Sequence, residues 1–204
     1  DVRLEELVER VPVAAGDVVF NLAGTLHATG AGIVLYEIQE YSDVTYRLYD
    51  FGRFGPDGKG RDLHIERGLD VLDYLPLPRH LAQPIVLAAG DAQPEVRLLV
   101  ACDHFVLTEV ALASDQALAQ ATDGTSCHIL SVIAGNTRLT TGDDSTEFAL
   151  PLGQTAVVLA EPCAYRLTAT GDAPARVLIS WVPAEDDPRV RAWQEAQLGE
   201  RLEA

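Results

Sequence analysis

Gly16-Asp17-Val18-Val19-Phe20-Asn21-Leu22-Ala23-Gly24-Thr25-Leu26-His27 and Gly153-Gln154-Thr155-Ala156-Val157-Val158-Leu159-Ala160-Glu161-Pro162-Cys163-Ala164 follow one pattern: glycine, an apolar strand-like run, a tight turn, a second run. The first copy ends on a histidine and the second on an alanine. In a chain of 204 residues this leaves room for one large β domain or two small ones.

Downstream of the first copy, residues 33–39 (IVLYEIQ) read as a strand. If they are extended, Ile33, Leu35, Glu37 and Gln39 share one face and Val34, Tyr36 and Ile38 the other. Thr45, Arg47 and Tyr49 share a face of the next run, so a barrel would point Glu37 and Arg47 into one interior. Residues 52–60 (GRFGPDGKG) are loop chemistry, and residues 63–75 read as a helix with Ile65, Leu69 and Leu72 at helical spacing.

The proline-interrupted stretch 76–94 reads as a connector and the domain boundary. Short strands are then expected at 96–100, 104–112, 126–133, 137–140, 155–159, 164–169 and 176–181. Turns such as Ala134-Gly135-Asn136, Gly142-Asp143-Asp144 and Gly171-Asp172 separate them, a spacing that suits a sandwich or barrel. A short amphipathic helix is expected at 2–10. A closing helix is expected at 187–202, with Asp187 as N-cap and Pro188 in its first turn.

Hydrophobic residues make up 48% of the chain, enough for a packed core. The net charge of −16 argues against a nucleic-acid partner. No apolar run approaches the length of a membrane span and no leader pattern opens the chain, so a cytoplasmic location is the default expectation. Lys59 is its only lysine, the other cations being arginine, which suits fixed bidentate contacts to phosphate. Cys102, Cys127 and Cys163 are far apart, form no CxxC pair and read as reduced thiols. The sequence contains no methionine, so we expect a processed chain, a domain or a fragment.

Both opening segments resemble the second motif of the cupin family: glycine, five residues, proline-x-glycine, two residues, histidine. The first copy departs by Leu22 in place of proline. The second departs by Leu159, Glu161 and Ala164 in place of proline, glycine and histidine. Two such motifs imply an all-β fold with a few helices, built as tandem cupin (jelly-roll) barrels. The resemblance implies that residues 1–75 hold the C-terminal part of a first, catalytic barrel with its following helix, so that this barrel is incomplete. A second, metal-free barrel would occupy 95–183 and a C-terminal helix 184–204.

A more specific resemblance follows. GTLHATGAGIVLYEIQEYSDVTYRLYDFGR and DGKGRDLHIERGLDVLDY are similar to the short bacterial form of the type I mannose-6-phosphate isomerases, and DHFVLTEV and CHILSVIAG fit that family's C-terminal domain. The chain looks like the C-terminal two-thirds of such an enzyme. The resemblance implies a zinc-dependent aldose–ketose isomerase that interconverts mannose 6-phosphate and fructose 6-phosphate. It makes His27 in the GTxHA turn one zinc ligand. It matches Glu37 in YEIQE to the family's active-site glutamate and Arg47 in SDVTYR to its active-site arginine. The family's remaining ligands, from a QxHP-type and a K-x-E-type motif, have no counterpart here, so the chain alone is expected to be inactive or nearly so.

Plainer readings stand beside these. A lone turn histidine is often structural or exposed. Glu37 on an apolar strand is either an edge residue or an interior carboxylate, and burial would require a partner, for which Arg47 is the candidate. His64 and Glu66 in LHIER read as a helix start, and His128 as a satisfied core group. Arg53, Lys59 and Arg61 are either a basic rim or a solvated loop; Glu40 and Asp43 read as surface or turn residues. The alternative to an enzyme is a cupin that binds a sugar or sugar phosphate without catalysis.

Overall fold

Alternating apolar runs closed by turns fold as antiparallel strands from residue 85 onward. The computed structural model describes residues 4–42, 44–75, 81–90, 93–142 and 146–198. The elements are α1 (Leu4–Leu7), α2 (Ile65–Val71), β1 (Ile85–Gly90), β2 (Gln93–Ala101), β3 (Val106–Leu112), β4 (Ala117–Thr122) and β5 (His128–Ala134). They continue with β6 (Asn136–Thr141), β7 (Thr146–Pro151), β8 (Thr155–Val158), β9 (Cys163–Ala169), β10 (Ala175–Trp181) and α3 (Pro188–Leu198). The chain divides into two units, Asp1–His80 and Leu81–Ala204.

In the second unit, β1-β2-β3-β10-β5-β8 form one sheet and β4-β9-β6-β7 the other, all pairs antiparallel. Period-two alternation sends Val110 and Leu112 of β3, Val177 and Ile179 of β10, and Leu130 and Val132 of β5 into the core between the sheets. Leu139, Tyr165 and Leu167 meet them from the four-stranded side. Full burial of each such aliphatic side chain contributes roughly 1.5–3 kcal/mol. This is the expected jelly-roll arrangement.

Seven expected strands appear as β2, β3, β5, β6, β8, β9 and β10. Three others escaped the sequence reading. β4 (ALAQAT) is alanine-rich and weak in strand propensity. β7 lies beside the turn expected at 142–144, of which 143 and 144 fall outside the described residues. β1 lies within the stretch read as a connector, whose residues 76–80 and 91–92 are also outside the described set. β1 itself contains no proline: Pro84 precedes it, and Pro94 sits at the hairpin end of β2 beside the Gly90–Gln93 pair.

Helix α3 closes this unit. Asp187 is its N-cap: Oδ1 accepts from the Arg189 amide at 2.9 Å. Trp193 is fully buried and donates from Nε1 to the Leu99 carbonyl at 2.8 Å. Gln197 exchanges two 2.8 Å hydrogen bonds with the Gln83 backbone. The expected helical residues 199–202 lie outside the described residues.

The first unit departs from expectation. Its described residues contain α1, α2, the isolated bridge Phe54 to Gly60 and a bridge residue at Val18, but no strand at 33–39 or 45–49. A strand requires a ladder partner for its amides and carbonyls, and the described residues of this unit supply none. Nor does the alternation find a buried face: Ile33 is 43% and Val34 100% exposed. The barrel interior expected to receive Glu37 and Arg47 is therefore not built here. Among the described residues, the helices expected at 2–10 and 63–75 span Leu4–Leu7 and Ile65–Val71, residues 2–3 lying outside them.

Candidate functional site

Helix α2 fastens the pieces that carry the candidate residues. At its C-terminal side the Asp73 amide donates to the Gly24 carbonyl at 2.9 Å, holding the turn that leads to His27. Gly24 has φ +82°, and a Cβ there would lie 2.7 Å from the Val71 carbonyl oxygen. Only glycine meets both demands without strain. At the other end, the His64 amide donates to the Arg47 carbonyl at 2.8 Å and the Arg47 amide donates to His64 Nδ1 at 3.2 Å. Gly68, buried in α2, lets Leu48 approach: a Cβ would sit 2.5 Å from Leu48 Cδ2. The tie points His64 and Asp73 flank the seven-residue α2, which is itself about 10 Å long.

His27 is exposed, and its Nδ1 lies 2.8 Å from the Thr25 carbonyl oxygen. A carbonyl only accepts, so Nδ1 carries the proton and Nε2 keeps its lone pair. Metal-bound histidines use this tautomer and this kind of supporting bond. Glu37 is exposed, with no ion pair to Arg47. Arg47 is half-buried and its Nη1 donates to the Asp62 carbonyl at 3.4 Å. The expected Glu37–Arg47 pair is thus not formed.

Asp50, which the sequence reading passed over, organises the local charge. It is buried and accepts from Arg61 Nε at 2.8 Å and from Arg61 Nη2, with Arg53 Nε at 3.9 Å. The Arg61 hydrogen bonds hold its carboxyl below the usual range against the opposing effect of burial, helped by the charges of Arg61, Arg53 and Arg47. Arg53 also lies over the Phe51 ring, 5.4 Å from its centroid. Arg53 and Arg61 are therefore occupied by Asp50 and do not form a free basic rim. The run of Arg47, Asp50, Arg53 and Arg61 was visible in the sequence, but which arginine would meet the carboxylate was not.

Among the described residues, no group of three or more His, Cys, Asp or Glu is placed to hold a metal. His27 fits as one zinc ligand, but the described residues do not by themselves make a zinc site, which needs about three protein ligands.

No family profile matches the chain. A mannose-6-phosphate isomerase of Streptococcus mutans is 37% identical over 139 residues, covering 68% of this chain and 42% of the relative. Mannose-6-phosphate isomerase ManA of Bacillus subtilis is 34% identical over 143 residues, with the same shares covered. Over these aligned stretches the chain is homologous to mannose-6-phosphate isomerases. It spans about 42% of the length of these curated relatives. The crystal structure of the Bacillus subtilis mannose 6-phosphate isomerase superposes with a TM-score of 0.54 at 20% identity, over 68% of this chain and 40% of that one, which shows the shared fold. The GTLHA turn meets the C-terminal side of α2 at Gly24, and Gly68 of α2 meets Leu48 beside Arg47.

Proposed function

We propose that this chain is part of a zinc-dependent mannose-6-phosphate isomerase, working in the cytoplasm, in which His27 is one metal ligand and the other ligands come from outside these 204 residues. The observation that carries the reading is the 37% identity to a mannose-6-phosphate isomerase. It is supported by the His27 tautomer, which leaves Nε2 available. The three cysteines are free thiols, compatible with a reducing compartment.

Aldose–ketose isomerisation moves a proton between adjacent carbons through an enediol. It needs an acid–base group and an electrophile for the developing oxyanion. In this reading Glu37 serves the proton transfer. Arg47 either stabilises the oxyanion or holds the anionic substrate. Its guanidinium has one N–H committed to Asp62, leaving others for the substrate.

The test is an isomerase assay on mannose 6-phosphate, with and without zinc, of this chain alone and of a longer polypeptide that adds the region found only in the relatives. Activity is expected in the longer protein and at least a hundredfold less (an order-of-magnitude expectation) in its His27→Ala and Arg47→Ala variants. Full activity in those variants would overturn the site assignment. Tight one-to-one zinc binding by this chain alone would overturn the claim that ligands lie outside it.

A further inference from the structure

The second unit contains a cavity of about 230 Å³ lined from both sheets, by Thr108 and Val110 of β3, His128 of β5 and Trp181 of β10 on one side and Gln120 of β4 on the other. A water molecule takes about 30 Å³ in the liquid, so the space corresponds to about eight waters or one small ring with its hydroxyls. We propose that this barrel mouth binds a small, neutral, polyhydroxylated molecule: a single sugar ring or polyol without a phosphate group.

Polar groups converge on the cavity with capacity left over. His128 Nδ1 lies 2.7 Å from the Tyr165 hydroxyl. Tyr165 is buried, and burial pushes its phenol above the usual range. The bond to Tyr165 engages Nδ1 of His128 and leaves Nε2 for another partner. Gln120 lines the cavity and is exposed, and its amide makes no hydrogen bond among the described residues. Asp123 spends Oδ1 on the Thr125 amide and hydroxyl, which leaves Oδ2 as an acceptor. An imidazole nitrogen, a carboxamide and a carboxylate oxygen form a donor and acceptor set suited to hydroxyl groups, which both donate and accept.

Charge selects against an anion. Asp187 is matched by Arg189, whose Nε and Nη2 donate to it at 2.8 and 2.7 Å. Asp123 is then the unmatched charge on the described wall, and it repels a phosphate. Trp181 is a support rather than a stacking platform. The His128 ring lies 5.5 Å from it, and Arg189 Cζ lies 4.9 Å from its ring centroid. The apolar side of the wall available to the C–H groups of a ring is the partly buried Val96, backed by the core residues Val110 and Ile179.

This site lies wholly within Leu81–Ala204 and does not rest on the isomerase reading. The test is an amide and side-chain NMR titration of the full chain with D-mannose, glycerol and D-mannose 6-phosphate. Saturable shifts at Gln120, His128 and Trp181 with D-mannose or glycerol are expected, weaker with the phosphate ester at these residues. Gln120→Leu, an exposed position, is expected to weaken binding about tenfold, with His128→Gln as a second variant. No saturable binding of either neutral probe would overturn the proposal. So would unchanged affinity in folded Gln120→Leu, or shifts confined to residues 24–64. That last outcome would leave the isomerase reading standing.

Discussion

Arg47 and His64 hold each other twice: the His64 amide donates to the Arg47 carbonyl at 2.8 Å, and the Arg47 amide donates to His64 Nδ1 at 3.2 Å. His64 is at the N-cap position of α2, yet its side chain makes no capping bond. Its imidazole is spent on Arg47, so the helix start positions the candidate catalytic arginine. His64→Ala is expected to cost about 1 kcal/mol locally, the worth of one hydrogen bond. Hydrogen exchange at the Arg47 amide should accelerate roughly five- to tenfold, while the amides of β3 and β10 keep their protection. Unchanged exchange at Arg47 would show that the contact is idle.

Gly24 meets α2 at its other end. Gly24→Ala forces a side chain into φ +82° and places its Cβ 2.7 Å from the Val71 carbonyl oxygen. The left-handed conformation alone costs about 1–2 kcal/mol, and the clash adds to it. Faster proteolysis within 20–30 and 69–75 is expected, with the second unit unaffected.

Glu109 lies buried on β3, accepting from Arg97 of β2 and Arg176 of β10. These cross-strand contacts tie three neighbouring strands of the larger sheet. Glu109→Ala would leave two arginines facing each other without their carboxylate. Both arginine side chains are partly exposed, at 30% and 37%, so water softens the loss. A destabilisation of about 2 kcal/mol is expected, below the range for a fully buried pair, and urea denaturation would measure it.

Burial holds His128 below the usual histidine range, helped by the charge of Arg189 and opposed by that of Asp123. The unfolded chain, with an ordinary pKa of about 6.5, therefore takes up the proton first as pH falls. Its contribution to stability is complete above that pH and is lost as pH drops toward the lower folded pKa. Asp187 acts in a more acidic window. Burial raises it, but hydrogen bonds from Arg189 outweigh that and leave it lowered, so its contribution fades below about pH 4. Melting temperature is expected to fall as pH drops below about 6.5. His128→Gln should flatten that fall; an equal slope in the variant would refute the assignment.

The turns, most strands after residue 95, the Asp187 cap and the GTLHA and LHIER segments could be read from local pattern alone. Each depends on neighbours in sequence or on an alternation whose buried face this chain supplies. The pairing of Asp50 with Arg61 rather than Arg47 could not be read, nor could the Tyr165 partner of His128, because these contacts join residues 11 and 37 apart. The β4 strand was hidden for a related reason: its alanines gain strand character only by pairing with β9.

The opening repeat shows the division most clearly. Its sequence determined glycine-bounded turns at both Gly16–Gly24 and Gly153, and the positive φ of all three glycines follows from local sterics. Whether the flanking runs became strands was decided by tertiary structure. In the second copy, β8 pairs with β5 and β9 with β4 and β6, and the apolar faces close over a core. In the first copy the same kind of run finds no ladder among the described residues and stays irregular. A strand is a relation between two segments: the sequence proposes one side of it, and a partner within reach completes it.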